Sequence, residues 1–337
     1  GVYAIGYEAG FLRRALLGSL LGPVEAAPIF ARRVAVFGLV LLVLNAGLVF
    51  VFALRAARAQ PAAGHVVAIT VCAAPITLGY FAWDLARPEQ AGYVLALALC
   101  LVMAATSLRP TWSAAGMATA TVGGVAVHES FPLVQMPLML AIYGIRATES
   151  ERPGRALVPA AGVAVLGFVA AGLLLWLGTR EPQTARATLA QLQAVYPDLP
   201  AAPIMAQAKD LVTGMRDAAA ALGVPRNVKG LASAALVLAV IAGLIAWALR
   251  RTTPPRDAAV ARAERIALPL AGTPPVLMCA LHPDMTRWLA YAGLNLLVVA
   301  CVLLARRTPS ATAKGATPAW VLVLYGIVFL AVLPRWN

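Results

Sequence analysis

The sequence predicts an all-α fold, a polytopic membrane bundle of about ten transmembrane helices with external amphipathic helices. Hydrophobic residues make up 61% of the 337 residues and charged residues only 12%, whereas a soluble domain carries about 25% charged residues. Apolar runs recur along the whole chain, and basic residues gather in alternate short loops. The net charge of +13 therefore indicates loops at the cytoplasmic face of a membrane, and we expect no nucleic-acid partner.

Ten apolar runs are candidate spans, because crossing about 30 Å of hydrocarbon takes about 20 helical residues. They cover residues 34–54, 64–83, 91–106, 113–127, 131–144, 157–178, 230–249, 267–281, 288–305 and 319–334. The fourth and fifth runs are short and nearly touch, so loop charge decides whether they form one helix or two. Arg109 and the basic loop 145–156 share a membrane face only if two spans separate them, which predicts a hairpin with its tip at His128.

Basic loops set the expected orientation of the single transmembrane domain, 1–337. Loops 55–63, 107–112, 145–156, 250–266 and 306–318 hold 14 of the 27 Lys and Arg residues, so we place them in the cytoplasm. The non-cytoplasmic side then receives 1–33, 84–90, the His128 tip, 179–229 and 282–287. Since the chain opens at Gly1 in a loop-like stretch, we expect an omitted first span before it.

The 179–229 loop is the largest polar segment and is expected to form amphipathic helices. Its apolar residues recur at helical spacing opposite a charged face, with a shorter helix expected around 189–195. The apolar positions are Ile204, Ala208, Leu211, Met215 and Leu222, and the charged ones are Lys209, Asp210, Arg216 and Asp217. Such a helix either covers a site or lies on the membrane surface.

Four short clusters contain nearly all the outward-facing ionisable residues outside that loop. They are Arg13 with Arg14, then Asp84 with Arg87 and Glu89, then His128 with Glu129, and finally Asp284 with Arg287 and Trp288. Each has a local explanation: headgroup contacts for the arginine pair, an ion pair for Asp84 with Arg87, a capped turn at His128, and a helix N-cap at Asp284. Because an ionisable group at membrane depth costs about 2.5–3.5 kcal/mol, the clusters together predict one outward cavity.

The residue types in this cavity suit a lipid-linked phosphate and a hydroxyl acceptor. Carboxylates can act as a general base, and we assign catalytic roles to Glu8, Glu129 and Asp284. Substrate-binding roles go to the remaining polar and aromatic residues: Arg13, Arg14, Asp84, Arg87, His128, Arg287 and Trp288. The sequence has no phosphate-cradling Gly-rich loop and no metal-ligand spacing, so we expect neither ATP chemistry nor a cofactor, and a divalent cation is not indicated.

Three motifs carry a resemblance to known proteins: the run from Gly6 to Gly18, the His128-Glu129 tip, and Asp284-x-x-Arg287-Trp288. They are similar to a group of bacterial polytopic membrane proteins, which in turn resemble multi-span glycosyltransferases of the GT-C type. The resemblance implies a polyprenyl-phosphate-linked sugar donor, a glycan or lipid acceptor, and a site on the non-cytoplasmic side of the bacterial cytoplasmic membrane. It also implies that Glu8 is the essential acid of the first external loop. Unlike many such enzymes, the chain lacks a soluble C-terminal domain and has Ala9 where a second acid sometimes follows.

Other functions use the same features. A polysaccharide polymerase or ligase would share the outward arginines and the lipid-phosphate donor. A transporter or flippase of lipid-linked glycans would also need a charged cavity, together with repeat symmetry and broken helices in matching positions, and the sequence shows neither of these two features. A non-catalytic assembly protein is the remaining alternative.

Overall fold

Helices are the regular elements of the computed structural model, which describes residues 27–74, 77–83, 85, 87–106, 110–150, 152–180, 182–195, 197, 201, 205, 209 and 211–310. The all-helical class expected from the composition is confirmed. In chain order the described helices are α1 (Ala27–Ala59), α2 (Pro61–Ala73), α3 (Leu78–Trp83), α4 (Pro88–Ala105), α5 (Pro110–Val127), α6 (Phe131–Val134), α7 (Met136–Ala147), α8 (Pro153–Arg180), α9 (Pro182–Val195), α10 (Leu211–Ala221), α11 (Pro225–Arg250), α12 (Ala258–Leu281) and α13 (Met285–Arg306).

Prolines mark where many of these helices begin. Helices α2, α4, α5, α8, α9 and α11 each start on a proline. Proline suits the first helical position because its fixed φ is helical and its missing N–H would have no partner in the first turn. Asp257 instead begins α12 as an N-cap, its carboxylate accepting hydrogen bonds from the N–H groups of Ala259 and Val260.

Five described helices are long and apolar enough to cross a membrane: Ala31–Ala59, Pro88–Ala105, Gly154–Leu177, Pro225–Arg250 and Met285–Arg306. They correspond to five of the predicted spans and identify a membrane-spanning helical protein. The expected count of about ten is not reached within the described part of the chain. Two shorter apolar helices, Ala62–Cys72 and Met136–Ala147, fall below the length limit.

Interrupted helices account for two of the predicted runs that are missing from this count. The 64–83 run is divided into α2 and α3, because Ala74 takes an extended conformation and the proline that follows it in sequence disfavours a helical one. The 131–144 run is divided into α6 and α7 at Gln135. The 267–281 run lies in α12, which contains Pro269, Pro274 and Pro275. The 319–334 run lies outside the described residues.

The bundle is built around α13. Of its most apolar window, 89% is buried, compared with 22% for α1 and α8. Its Asn295 side chain donates hydrogen bonds to the carbonyls of Val134 (2.7 Å) and Ala271 (3.0 Å) and pairs with the Tyr93 hydroxyl at 3.0 Å. One buried amide therefore links α4, α6 and α12 to the central helix.

Charged groups separate to the two ends of this bundle. At one end, which we call the basic end, Arg306 and Arg146 both contact Glu149, Arg146 also reaches the carbonyl of Thr106, and Arg307 pairs with Glu264. At the other end, the tip end, Glu89 lies in the first turn of α4 and contacts both His128 and Arg287. Since Gln135 lies beside Glu89 and Arg146 beside Thr106, the chain reverses between α5 and α7, with His128 at the turn.

Candidate functional site

Glu89 is the centre of a buried polar network at the tip end. It lies in the first turn of α4, directly after Pro88, and its side chain is 1% exposed. A carboxylate in the first turn of a helix interacts favourably with the helix dipole. The backbone carbonyl of Glu89 also accepts a hydrogen bond from the Gln135 side chain, at 3.1 Å, which ties α4 to the junction of α6 and α7.

Arg287, in the first turn of α13, joins two carboxylates. Its Nη1 lies 2.8 Å from Glu89 Oε1, and its Nη2 lies 2.8 Å from Asp284 Oδ2. Asp284 occupies the N-cap position but makes no side-chain capping hydrogen bond, because its carboxylate is directed to the guanidinium. The guanidinium carbon stacks 4.7 Å from the centre of the Trp288 ring, an attractive cation–π contact.

His128 brings the α5–α6 turn to the same carboxylate. Its Nε2 lies 3.2 Å from Glu89 Oε1, while its Nδ1 accepts a 3.1 Å hydrogen bond from the Ser130 backbone N–H. Because a ring nitrogen that accepts a hydrogen bond carries no proton, this geometry assigns the proton to Nε2, which then donates to Glu89. The Ser130 hydroxyl lies 2.8 Å from the same Nδ1 atom, and the nearest Glu129 carboxylate oxygen lies 3.7 Å from it.

A cavity of about 340 Å³ opens above this network. Glu89, His128, Glu129 and Arg287 contribute to one wall, and the chain around His282 and Pro283 forms another. Helix α10 closes part of the mouth with Leu211, Gly214 and Asp217. Helix α10 approaches α12 closely at Gly214, where an added Cβ would lie only 2.8 Å from the carbonyl oxygen of Leu281.

Helix α10 contacts the bundle through small residues. The apolar residues that the sequence predicts to rest on the bundle or on lipid, Leu211, Met215 and Leu222, are each about half exposed. Helix α10 instead buries Ala218 and Ala221, and Lys209 pairs with Asp217 at 2.6 Å. The expected helix therefore exists over 211–221, but small residues make its contact. The predicted positions Ile204, Ala208 and Asp210 lie outside the described residues.

The cavity is richer in carboxylates than in cations. Its lining contains the carboxylates Glu89, Glu129 and Asp217 and the cations Lys209 and Arg287, and Lys209 already pairs with Asp217. The side chain of Glu129 is 12% exposed, and that of Asp284, which binds Arg287 beside the cavity, is 29% exposed. Arg287 already contacts two carboxylates. This arrangement can orient a hydroxyl group and accept its proton better than it can hold a phosphate. Within the described residues no group of three His, Cys, Asp or Glu side chains can hold a metal ion.

The structure brings together some of the predicted site residues and leaves others undescribed. His128, Glu129, Arg287 and Trp288 line the cavity, with Asp284 bound to Arg287. Trp288 is only 1% exposed, so its ring supports Arg287 from below. Arg87 is half-buried at the N-cap of α4 and does not line the cavity. The remaining predicted residues, Glu8, Arg13, Arg14 and Asp84, lie outside the described part of the chain.

Sequence reasoning missed the central role of Glu89. The sequence grouped it with Asp84 and Arg87 but assigned it no place in the site. The available signal was its position directly after Pro88 at the start of a span. An acid is favoured at the start of a helix, and the predicted topology puts this position on the same membrane face as the other tips. In comparisons with family models, curated proteins and solved structures, nothing matches this chain.

Proposed function

We propose that this protein is a GT-C-like membrane glycosyltransferase that moves a sugar from a polyprenyl-phosphate donor to an acceptor at the tip end. The observation that supports it best is the meeting of three chain tips on one buried carboxylate beneath an amphipathic helix, around a cavity of about 340 Å³. Buried ion pairs are weak contributors to stability and costly at membrane depth. Their concentration at a cavity therefore favours a binding or catalytic role.

Under this proposal the carboxylates have two roles, positioning of the neighbouring side chains and acceptance of a proton. Glu89 positions Arg287 and His128, while the more exposed Glu129 and Asp284 face an acceptor hydroxyl and can take its proton. The resemblance assigns the leading base role to Glu8. The donor phosphate needs cations beyond Arg287, which we assign to Arg13 and Arg14 of the first loop and to Lys209 at the cavity mouth.

The proposal places the tip end outside the cytoplasmic membrane. The basic end carries Arg146, Arg250, Arg306 and Arg307, and clusters of basic residues stay in the cytoplasm. The full chain is proposed to have about ten spans, counting the interrupted helices α2–α3 and α6–α7 and the run 319–334.

Substitution of the carboxylates tests the transfer reaction. The full chain in liposomes would receive radiolabelled polyprenyl-phosphate hexoses with a membrane extract as acceptor, and release of polyprenyl phosphate would be followed. The variants are Glu8→Gln, Glu129→Gln and Asp284→Asn. We expect the rate of sugar transfer to fall about 100-fold or more in the variant that removes the general base, while donor binding is retained. Arg14→Ala should weaken donor binding itself.

The matched control is Glu149→Gln, a carboxylate in a partly exposed ion pair at the basic end, which should keep nearly full activity. Full activity in all three tip-end carboxylate variants would remove general-base catalysis from this site and contradict the proposal.

A transporter of lipid-linked glycans is a second candidate, favoured by the interrupted helices. Helix breaks at Ala74 and Gln135 lie in segments that lead to the tip end, and broken helices are typical of transporter binding sites. Movement of an intact lipid-linked hexose across the same liposomes, with no release of polyprenyl phosphate, would favour this function over transfer.

A further inference from the structure

A second polar cavity lies at the basic end, far from the candidate site. It measures about 420 Å³ and opens between the C-terminal turns of α1, α4 and α13. Its inner wall is apolar, with Phe52, Ala104 and Val302, and its rim carries Arg55, Arg58 and Arg306. Ala104 of this cavity lies 15 residues after Glu89 on α4, which corresponds to about 22 Å at 1.5 Å per residue.

Positive charge is in excess around this rim. Arg55 and Arg58 lie one helical turn apart on α1, where like charges repel, and neither has a hydrogen bond or an ion pair with another described residue. Arg306 shares the carboxylate of Glu149 with Arg146. No carboxylate lines the cavity among the described residues.

Helix dipoles account for only part of this charge. Arg58 and Arg306 lie in the last turns of α1 and α13, where a cation is favoured. Arg55 lies deeper along α1 and is half-buried beside Phe52. A guanidinium at that depth is best compensated by an anion, and its planar fork matches the oxygens of a phosphate.

We propose that this cavity binds the phosphate group of an anionic phospholipid, with Arg55 and Arg58 contacting the phosphate oxygens. The apolar inner wall of Phe52, Ala104 and Val302 suits the acyl portion of a lipid. Free inorganic phosphate presents the same oxygens without the acyl portion, and the experiment separates the two sources.

Native mass spectrometry of the full chain in detergent tests this site. It would be titrated separately with phosphatidylglycerol, phosphatidylcholine and inorganic phosphate. We expect a tightly bound phosphatidylglycerol whose affinity falls about 30-fold in Arg55→Gln/Arg58→Gln, as expected for two arginines near a lipid phosphate. The charge-retaining Arg55→Lys/Arg58→Lys should show an intermediate loss because it lacks the planar fork.

The matched control is Arg152→Gln/Arg155→Gln, which removes the same charge with the same spacing from exposed positions at the start of α8. It should change the affinity for phosphatidylglycerol less than about 3-fold, because these residues do not line the cavity. Equal losses in the two double variants would reduce the effect to bulk charge and overturn the proposal. Inorganic phosphate that displaces phosphatidylglycerol from the parent chain would overturn the lipid assignment.

Discussion

Glu89 joins residues that are far apart in the chain, so its charge has a structural purpose whatever the cavity binds. Its carboxylate contacts Arg287, 198 residues later, and His128 at the α5–α6 turn. Removing one member of a buried ion pair leaves the other charge without compensation, which costs more than the pair contributes. The two charges should therefore behave as a unit.

We expect Glu89→Gln to lower the free energy of unfolding by about 3–5 kcal/mol, because the Arg287 charge stays buried without its main partner. The double variant Glu89→Gln/Arg287→Met should recover at least half of this loss, since no buried charge remains at either position. Unfolding of the full chain in mixed detergent micelles measures both effects.

Asp217→Asn provides the control for that comparison. It removes an exposed ion pair with Lys209 and should cost less than about 1 kcal/mol. Additive losses from the single Glu89 and Arg287 substitutions would contradict the coupling of the two charges.

The sequence could identify some residues of this network but not its centre. His128, Asp284 and Arg287 stand out because they are ionisable groups at short tips between apolar runs. The central position of Glu89 depends on contacts from α5, α6 and α13. Sequence spacing does not contain those contacts, so its neighbour Arg87 was assigned to the site instead.

At the scale of elements, small residues decide where helices meet. An added Cβ on Gly64 would lie 2.1 Å from the carbonyl oxygen of Ala56, and on Gly124 it would lie 2.1 Å from Phe131. Hydropathy predicts that α1, α2 and α5 exist, but it does not predict these contacts. An apolar helix surface can face either lipid or another helix, and hydropathy does not distinguish the two. The same holds for α10, whose apolar stripe was visible while its contact through Gly214 was not.

Gly214→Ala should move α10 away from the cavity mouth, because its Cβ would approach a backbone oxygen that α12 holds in place. A reporter variant, Leu133→Cys in the cavity wall, should then react severalfold faster with a water-soluble maleimide. The parent chain with its own cysteines supplies the background rate.

Gly162→Ala in the same reporter background is the control, since nothing lies within 4 Å of the added Cβ. An unchanged rate in the Gly214→Ala reporter would mean that α10 does not restrict access to the cavity.

At the scale of the whole molecule, the separation of charge between the two ends predicts its orientation. Arginines concentrate at the basic end, where the interrupted helix α2 also begins beside Arg307. The composition predicts the membrane class because so few charged residues cannot cover a soluble fold of this size. It does not predict which spans are interrupted, because a break at Ala74 or Gln135 barely changes the mean hydropathy.

Single-cysteine labelling in intact cells tests the orientation. With a membrane-impermeant maleimide, Leu222→Cys at the tip end should react directly, and Arg256→Cys between α11 and α12 should react only after the membrane is opened. The reverse pattern would place the candidate site in the cytoplasm and exclude a polyprenyl-linked donor presented from outside.

The buried helix α13 is synthesised after every described helix that surrounds it. Glu89 and Tyr93 are made 198 and 202 residues before their partners Arg287 and Asn295. At about 5–20 residues per second, this interval lasts about 10–40 s. During that time the earlier helices hold polar groups in or near the bilayer without the residues that later bind them. We therefore expect the biosynthesis of this bundle to depend on a membrane insertase or chaperone that shields unfinished helices.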